Sequence, residues 1–230
     1  MVNDRNYYGR MEQELRRIAE KRNGEHAESK PSLLLHACCC PCSSRVIELL
    51  HEVFDITIFY YNPNITEEEE FEKRFLEFLK LKELAPFAHE IKLVKGKYEP
   101  EKFLEMAKGR EMLPERGARC YDCYELRLRE SISYAAQHGF DYYTTTLSIS
   151  PYKNADWINE IGVRLMEELR AEGQQGVPAF LLSDFKKKDG YKRSIQLSRE
   201  YGLYRQDYCG CQYSKREGGY TASGASESGV

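Results

Sequence analysis

Eight cysteines in a chain of 230 residues fall into three groups. Cys38, Cys39, Cys40 and Cys42 form the first, Cys120 and Cys123 the second, Cys209 and Cys211 the third. A solitary buried cysteine is usually a small apolar packing residue. These stand beside Pro41, Tyr121, Asp122 and Gly210, in polar or turn-forming company, so packing does not account for the groups. Three chemistries remain. Structural zinc takes four thiolate or imidazole ligands, often from two Cys-x-x-Cys pairs. Cys39 with Cys42 and Cys120 with Cys123 meet that pattern but leave Cys38, Cys209 and Cys211 idle. Thiol–disulfide exchange needs one pair only. Iron–sulfur ligation draws thiolates from several segments and uses most of the set. Adjacent Cys38 and Cys39 leave the backbone in different directions and suit different metals better than one.

The elements that must position these groups follow from the hydrophobic pattern. Met11, Leu15 and Ile18 at helical spacing predict an amphipathic helix over Tyr7–Arg22, ended by Asn23 and Gly24. The apolar run from Ser32 to Ala37 predicts a buried strand, then a tight cysteine loop through Ser44 and a helix from Arg45 to Glu52. A second strand is expected over Phe54–Tyr61, stopped by Asn62-Pro63-Asn64, and a helix from the Thr66–Glu70 start to Leu84. Further strands are expected at Glu90–Val94, Phe140–Thr146 and Ala179–Leu182. Helices are expected at Glu101–Ala107, from Cys120 to Gln137, at Trp157–Glu172 and at Ser194–Glu200. Strands alternating with helices predict an α/β, doubly wound, mostly parallel sheet with flanking helices. Sites in such sheets lie beyond the carboxyl ends of the strands. The first cysteine loop, Asn62-Pro63-Asn64 and the threonines 144–146 all fall there.

Composition bounds the rest. With 41% hydrophobic and 12% aromatic residues the chain can build a full core, which excludes disordered and collagen-like classes. No window approaches the roughly 18 apolar residues of a membrane span. Met1 to Lys30 has no apolar leader-like stretch, from which a reducing, cytoplasmic setting and disulfide-free cysteines are expected. A single domain over 1–215 is expected, with a flexible Gly/Ser-rich tail over 216–230. The net charge of −3 argues against a protein that coats nucleic acid, while leaving room for local basic faces.

Four segments together carry a resemblance: Leu34 to Ser43, Arg119 to Arg127, Thr144 to Asn154 and Tyr204 to Cys211. In order and in kind they resemble the QueH type of epoxyqueuosine reductase, from about Asn6 to Ser214. The resemblance implies a HUP-like (Rossmann-like) fold and the last step of queuosine synthesis, in which the epoxide oxygen of epoxyqueuosine at the tRNA wobble position is removed reductively. It also implies a 4Fe-4S cluster beside a mononuclear iron, with Cys38, Cys39, Cys42, Cys120, Cys123, Cys209 and Cys211 as ligands. Cys40 departs from the family pattern and is taken as a non-ligand. His36 and Asp122 are the proton-donor candidates by proximity. An electron donor, not identified by the sequence, is expected as a partner, and no membrane. A tRNA sulfur transferase would need a glycine-rich pyrophosphate loop after the first strand, which Cys38 to Ser44 does not provide. A zinc-stabilised tRNA-binding module is the non-enzymatic alternative.

An unstacked nucleotide is held by aromatic stacking and by cations on its phosphates. Tyr121 and Tyr152 are candidate stackers, and Lys186, Lys187, Lys188 and Arg193 candidate phosphate contacts in the anticodon loop. Arg116, Arg119, Arg127 and Arg129 form a second basic segment. The acidic run Glu67 to Glu70 is expected to start a helix on the far side from the site.

Overall fold

A computed structural model describes residues 5–22 and 29–216. Five strands, β1 (Ser32–His36), β2 (Asp55–Tyr60), β3 (Lys92–Lys95), β4 (Tyr142–Thr145) and β5 (Ala179–Phe180), form one sheet. Their order is β3-β2-β1-β4-β5 and every pairing is parallel. The expected doubly wound α/β sheet is therefore present, with its direction of winding reversing between β1 and β4.

Because side chains alternate across a strand, β1 feeds two cores at once. Leu33 and Leu35 join Ile56, Ile58 and Tyr60 of β2 under three helices, α1 (Tyr7–Arg22), α2 (Cys40–Leu50) and α3 (Glu68–Leu84), with α7 (Gly190–Glu200) packed against α2. Leu34 joins Phe59, Tyr61 and Tyr143 under α5 (Ala118–Gln137) and α6 (Ala155–Ala171). Fully burying such a side chain is worth about 1.5–3 kcal/mol, so losing the alternation would cost both faces together. Helix α4 (Pro100–Ala107) packs Phe103 and Ala107 on Cys123, Cys211 and Tyr213, just ahead of the short α8 (Gln212–Arg216).

Several boundaries depart from the sequence expectation. Helix α2 starts at Cys40, not Arg45, because a proline in the first turn lacks only a donor that would be unpaired there anyway. Cys42 is thus a helical residue. Helix α7 starts at Gly190 instead of Ser194. Strand β5 stops at Phe180, since its partner β4 offers it only Tyr142 and Tyr143. The expected helix end at Asn23-Gly24 and the tail from residue 217 lie outside the described residues.

Candidate metal centre at the carboxyl edge of the sheet

Three pieces of chain bring cysteines to the carboxyl edge. Strand β1 ends at His36 and delivers Cys38 and Cys39, with Cys39 the N-cap of α2 and Cys42 in its first turn. Helix α5 runs antiparallel to the strands, so its first turns, carrying Cys120 and Cys123, open at the same edge. The third piece has no regular structure, and the sequence pattern does not reveal it. From Gly202 to Gly210 the chain runs back along α3, from that helix's end to its start. Lys80 Nζ donates to Gly202 O at 2.5 Å, Tyr204 meets Glu77 and Glu70, Arg74 donates to the Tyr208 and Cys209 carbonyls, and Thr66 N reaches Gly210 O at 3.4 Å. This strap carries Cys209 and Cys211 to the edge.

The strap also corrects the reading of Glu67 to Glu70 as a far-side feature. Glu70 is 9% exposed and pairs with Arg74 at 2.6 Å, directly beneath the cysteine strap. The charge run is a foundation of the site, because α3 begins where β2 has already reached the carboxyl edge.

All eight cysteines are free thiols. Cys38 Sγ stands 3.8 Å from Cys39 Sγ, and Cys42 hydrogen-bonds with both. Lys153 Nζ is 3.6 Å and Asn64 Nδ2 3.9 Å from Cys209 Sγ, and the Arg116 amide points at Cys120 Sγ at 3.4 Å. Hydrogen bonds from Cys39 and then Cys42 hold Cys38 well below the usual thiol range. The hydrogen bond with Cys211 does the same for Cys209. Burial pushes Cys123 up to about 12. Cys40 is different: it is wholly buried among Val46, Ile47 and Leu50 in the first core, and burial drives its thiol well above the usual range.

Among the described residues no group of three or more Cys, His, Asp or Glu side chains is arranged as a closed metal cage. Cys38, Cys39 and Cys42 are held together as a trio and Cys209 with Cys211 as a pair. The donor chemistry nevertheless fits a thiolate-bound metal centre: soft sulfur ligands are flanked by the cations Arg127 and Lys153. Beside Cys209, the buried Asn64 Oδ1 has no hydrogen-bond partner among the described residues, and buried polar atoms seldom stay unsatisfied.

The expected proton donors diverge. His36 is wholly buried, with Nδ1 at 2.7 Å from Thr145 Oγ1 and Nε2 at 3.0 Å from Tyr61 O. Burial, helped by the nearby Arg127 charge, lowers its pKa to about 3, so it is a neutral structural imidazole near pH 7. Asp122 lies on α5 between two cysteines, its side chain 31% exposed and ion-paired with Arg110.

The substrate-facing candidates also separate. Tyr121 turns toward α6, donating to Glu160 at 3.0 Å and packing edge-on against Trp157. Tyr152 is half-buried at the rim, with the Arg116 guanidinium 5.2 Å from its ring centre. Lys186 is held by Asp184 at 2.6 Å and Arg193 by Glu48 at 2.5 Å, while Lys187 and Lys188 are exposed. The second basic segment is divided, with Arg116 and Arg129 exposed and Arg119 and Arg127 buried. Arg119 is buried against the Arg110, Glu111 and Leu113 carbonyls, Arg127 is buried under the cysteines, and Arg129 pairs with Glu125 and Glu168. Helical phase explains this: Arg119, Cys123 and Arg127 share the inward face of α5.

The family model for epoxyqueuosine reductase QueH matches residues 33–217, from the start of β1 through the last cysteines. The chain belongs to the epoxyqueuosine reductase QueH family. Among relatives of that name, the one from Staphylococcus epidermidis is 37% identical over 215 residues, covering 89% of this chain and 84% of its own. That from Streptococcus pyogenes serotype M1 is 34% identical over 211 residues, covering 91% and 78%. A third, from Thermotoga maritima, is 32% identical over 189 residues, covering 81% and 91%. The QueH match spans all three cysteine segments, and it places the chain among oxidoreductases.

Proposed function

We propose that this chain reduces epoxyqueuosine in the tRNA anticodon to queuosine, at a metal centre held by Cys38, Cys39, Cys42, Cys120, Cys123, Cys209 and Cys211. The observation that carries the reading is the gathering of three distant cysteine segments at one sheet edge in a QueH family member. Removing the epoxide oxygen as water takes two electrons and two protons. A 4Fe-4S cluster with a neighbouring iron would supply single-electron transfer and a Lewis acid for the oxygen.

The chain's own residues provide the rest. The cations Arg127 and Lys153 offset negative charge on the thiolates. Tyr152 with Arg116 forms a stacking pair at the rim beside Cys120, suited to an unstacked base. Exposed Lys187 and Lys188 suit flanking phosphates. Of the two proton-donor candidates, His36 is sealed in the core, and Asp122 is partly exposed with its carboxylate ion-paired to Arg110, so neither holds a proton ready for the departing oxygen.

The test is anaerobic purification with iron and sulfide analysis. Incubation with epoxyqueuosine-containing tRNA and a chemical reductant follows, read out by nucleoside mass spectrometry. Queuosine formed by an iron- and sulfide-containing protein is the expected result. A colourless protein with stoichiometric zinc, or a thiolated nucleoside as product, overturns the reading.

A further inference from the structure

Three of the largest fully buried side chains are arginines, Arg74, Arg119 and Arg127. A guanidinium does not shed its proton in a protein, so burying one calls for an anion or a full set of acceptors. Arg74 has the Glu70 carboxylate at 2.6 Å. Arg119 has three backbone carbonyls and the Tyr213 ring at 4.5 Å. Among the described residues Arg127 has neither arrangement. Its Nη2 donates to Asn62 Oδ1 at 2.7 Å and its Nε approaches His36 Nε2 at 3.4 Å, an amide and an imidazole that carry no negative charge. The negative charge that acts on it comes from sulfur. Cys123 lies one turn before it on the same inward face of α5, and Cys123, Cys38 and Cys209 act on the guanidinium through their negative charge as thiolates. Thiols of all three chain segments therefore lie within the electrostatic reach of a single buried cation.

We infer that Arg127 is a positioning residue whose fixed charge is the counter-charge of the thiolate–metal centre, joining its three segments and raising its reduction potential. The inference rests on the metal-centre reading above and deepens it. A thiolate-ligated iron–sulfur centre gains negative charge when it accepts an electron. A nearby cation shielded from water stabilises that reduced form more than the oxidised one. The cation is also anchored: Asn62, which accepts from it, donates to Ala37 O at 2.9 Å, one residue before the first cysteine. Lys153 is a second cation near Cys209, on a turn at the rim.

Three full-length variants test this. Arg127→Gln removes the charge, Arg127→Lys keeps it without the planar fork, and Asn62→Asp sets a carboxylate against the guanidinium. Each is reconstituted anaerobically with iron and sulfide and compared with wild type by midpoint potential and iron bound per chain, circular dichroism monitoring the fold. The potential is expected to fall in Arg127→Gln and Asn62→Asp and to stay near wild type in Arg127→Lys. Iron affinity in Arg127→Gln is expected to drop roughly ten- to a hundredfold, the range of outer-shell partners. Unchanged potentials in the two charge-neutralised variants overturn the inference. Where Arg127→Gln does not fold, Asn62→Asp against Arg127→Lys decides, and equal potentials overturn it. A wild-type chain that takes up no iron overturns the reading of the site and this inference with it. Iron uptake with charge-independent potentials overturns the inference alone.

Discussion

His36 shows how one side chain couples site geometry to stability. Its folded pKa of about 3 lies below the ordinary value near 6.5, so between those values the unfolded chain binds the extra proton. The stability from keeping it neutral is present above pH 6.5 and is lost as pH falls toward 3. The metal-free chain should lose about 2 kcal/mol from this group between pH 7 and pH 5. A His36→Asn variant should show a flatter profile over that interval in thermal melts, and equal slopes would refute the assignment. Among the cysteines, Cys123→Ser is expected to abolish reduction and lower iron content. Cys40→Ala should retain iron and cost about 1 kcal/mol of stability through a small cavity; loss of iron there would make Cys40 a ligand. Groups of cysteines are legible in the sequence because their spacing is local. Which arginines face outward is not, because Arg119, Arg127 and Arg129 differ only in helical phase against a core that sequence order does not reveal.

At the scale of elements, two helix starts and one strap make the site. The strands and most helices follow from apolar periodicity, which is why β1, β2 and β4 are readable. The strap from Gly202 to Gly210 has no period. It is specified by its bonds to α3, more than a hundred residues earlier in the chain. Gly210 is its tightest point, with φ +107° and an added Cβ 2.8 Å from Ile65 Cγ1 and 3.2 Å from Arg74 Nη1. Gly210→Ala should therefore cost about 1–3 kcal/mol and reduce iron retention without touching a thiol. Iron content and melting temperature measured together check this; a variant that matches wild type in both would show the turn to be adaptable.

For the whole molecule, a net charge of −3 must be reconciled with a polyanionic substrate. The structure does so locally. A surface cavity of about 460 Å³ between α2 and α7 is lined by Arg45, Lys188, Lys192 and Arg193, with Glu48 and Asp189 among them. Replacing Lys187, Lys188 and Lys192 by Gln should weaken tRNA binding and make its logarithmic salt slope shallower by roughly 0.7 for each single-strand phosphate that is no longer neutralised. An unchanged slope would remove this face from the interface. The strap has one more consequence, which concerns time. Six of the eight cysteines, and every described strand, are translated before Tyr208. The sheet can thus be assembled on the ribosome while its thiols still lack their last two companions. Cys209 and Cys211 then join the other thiols only when the strap, which has no secondary structure of its own, docks on α3.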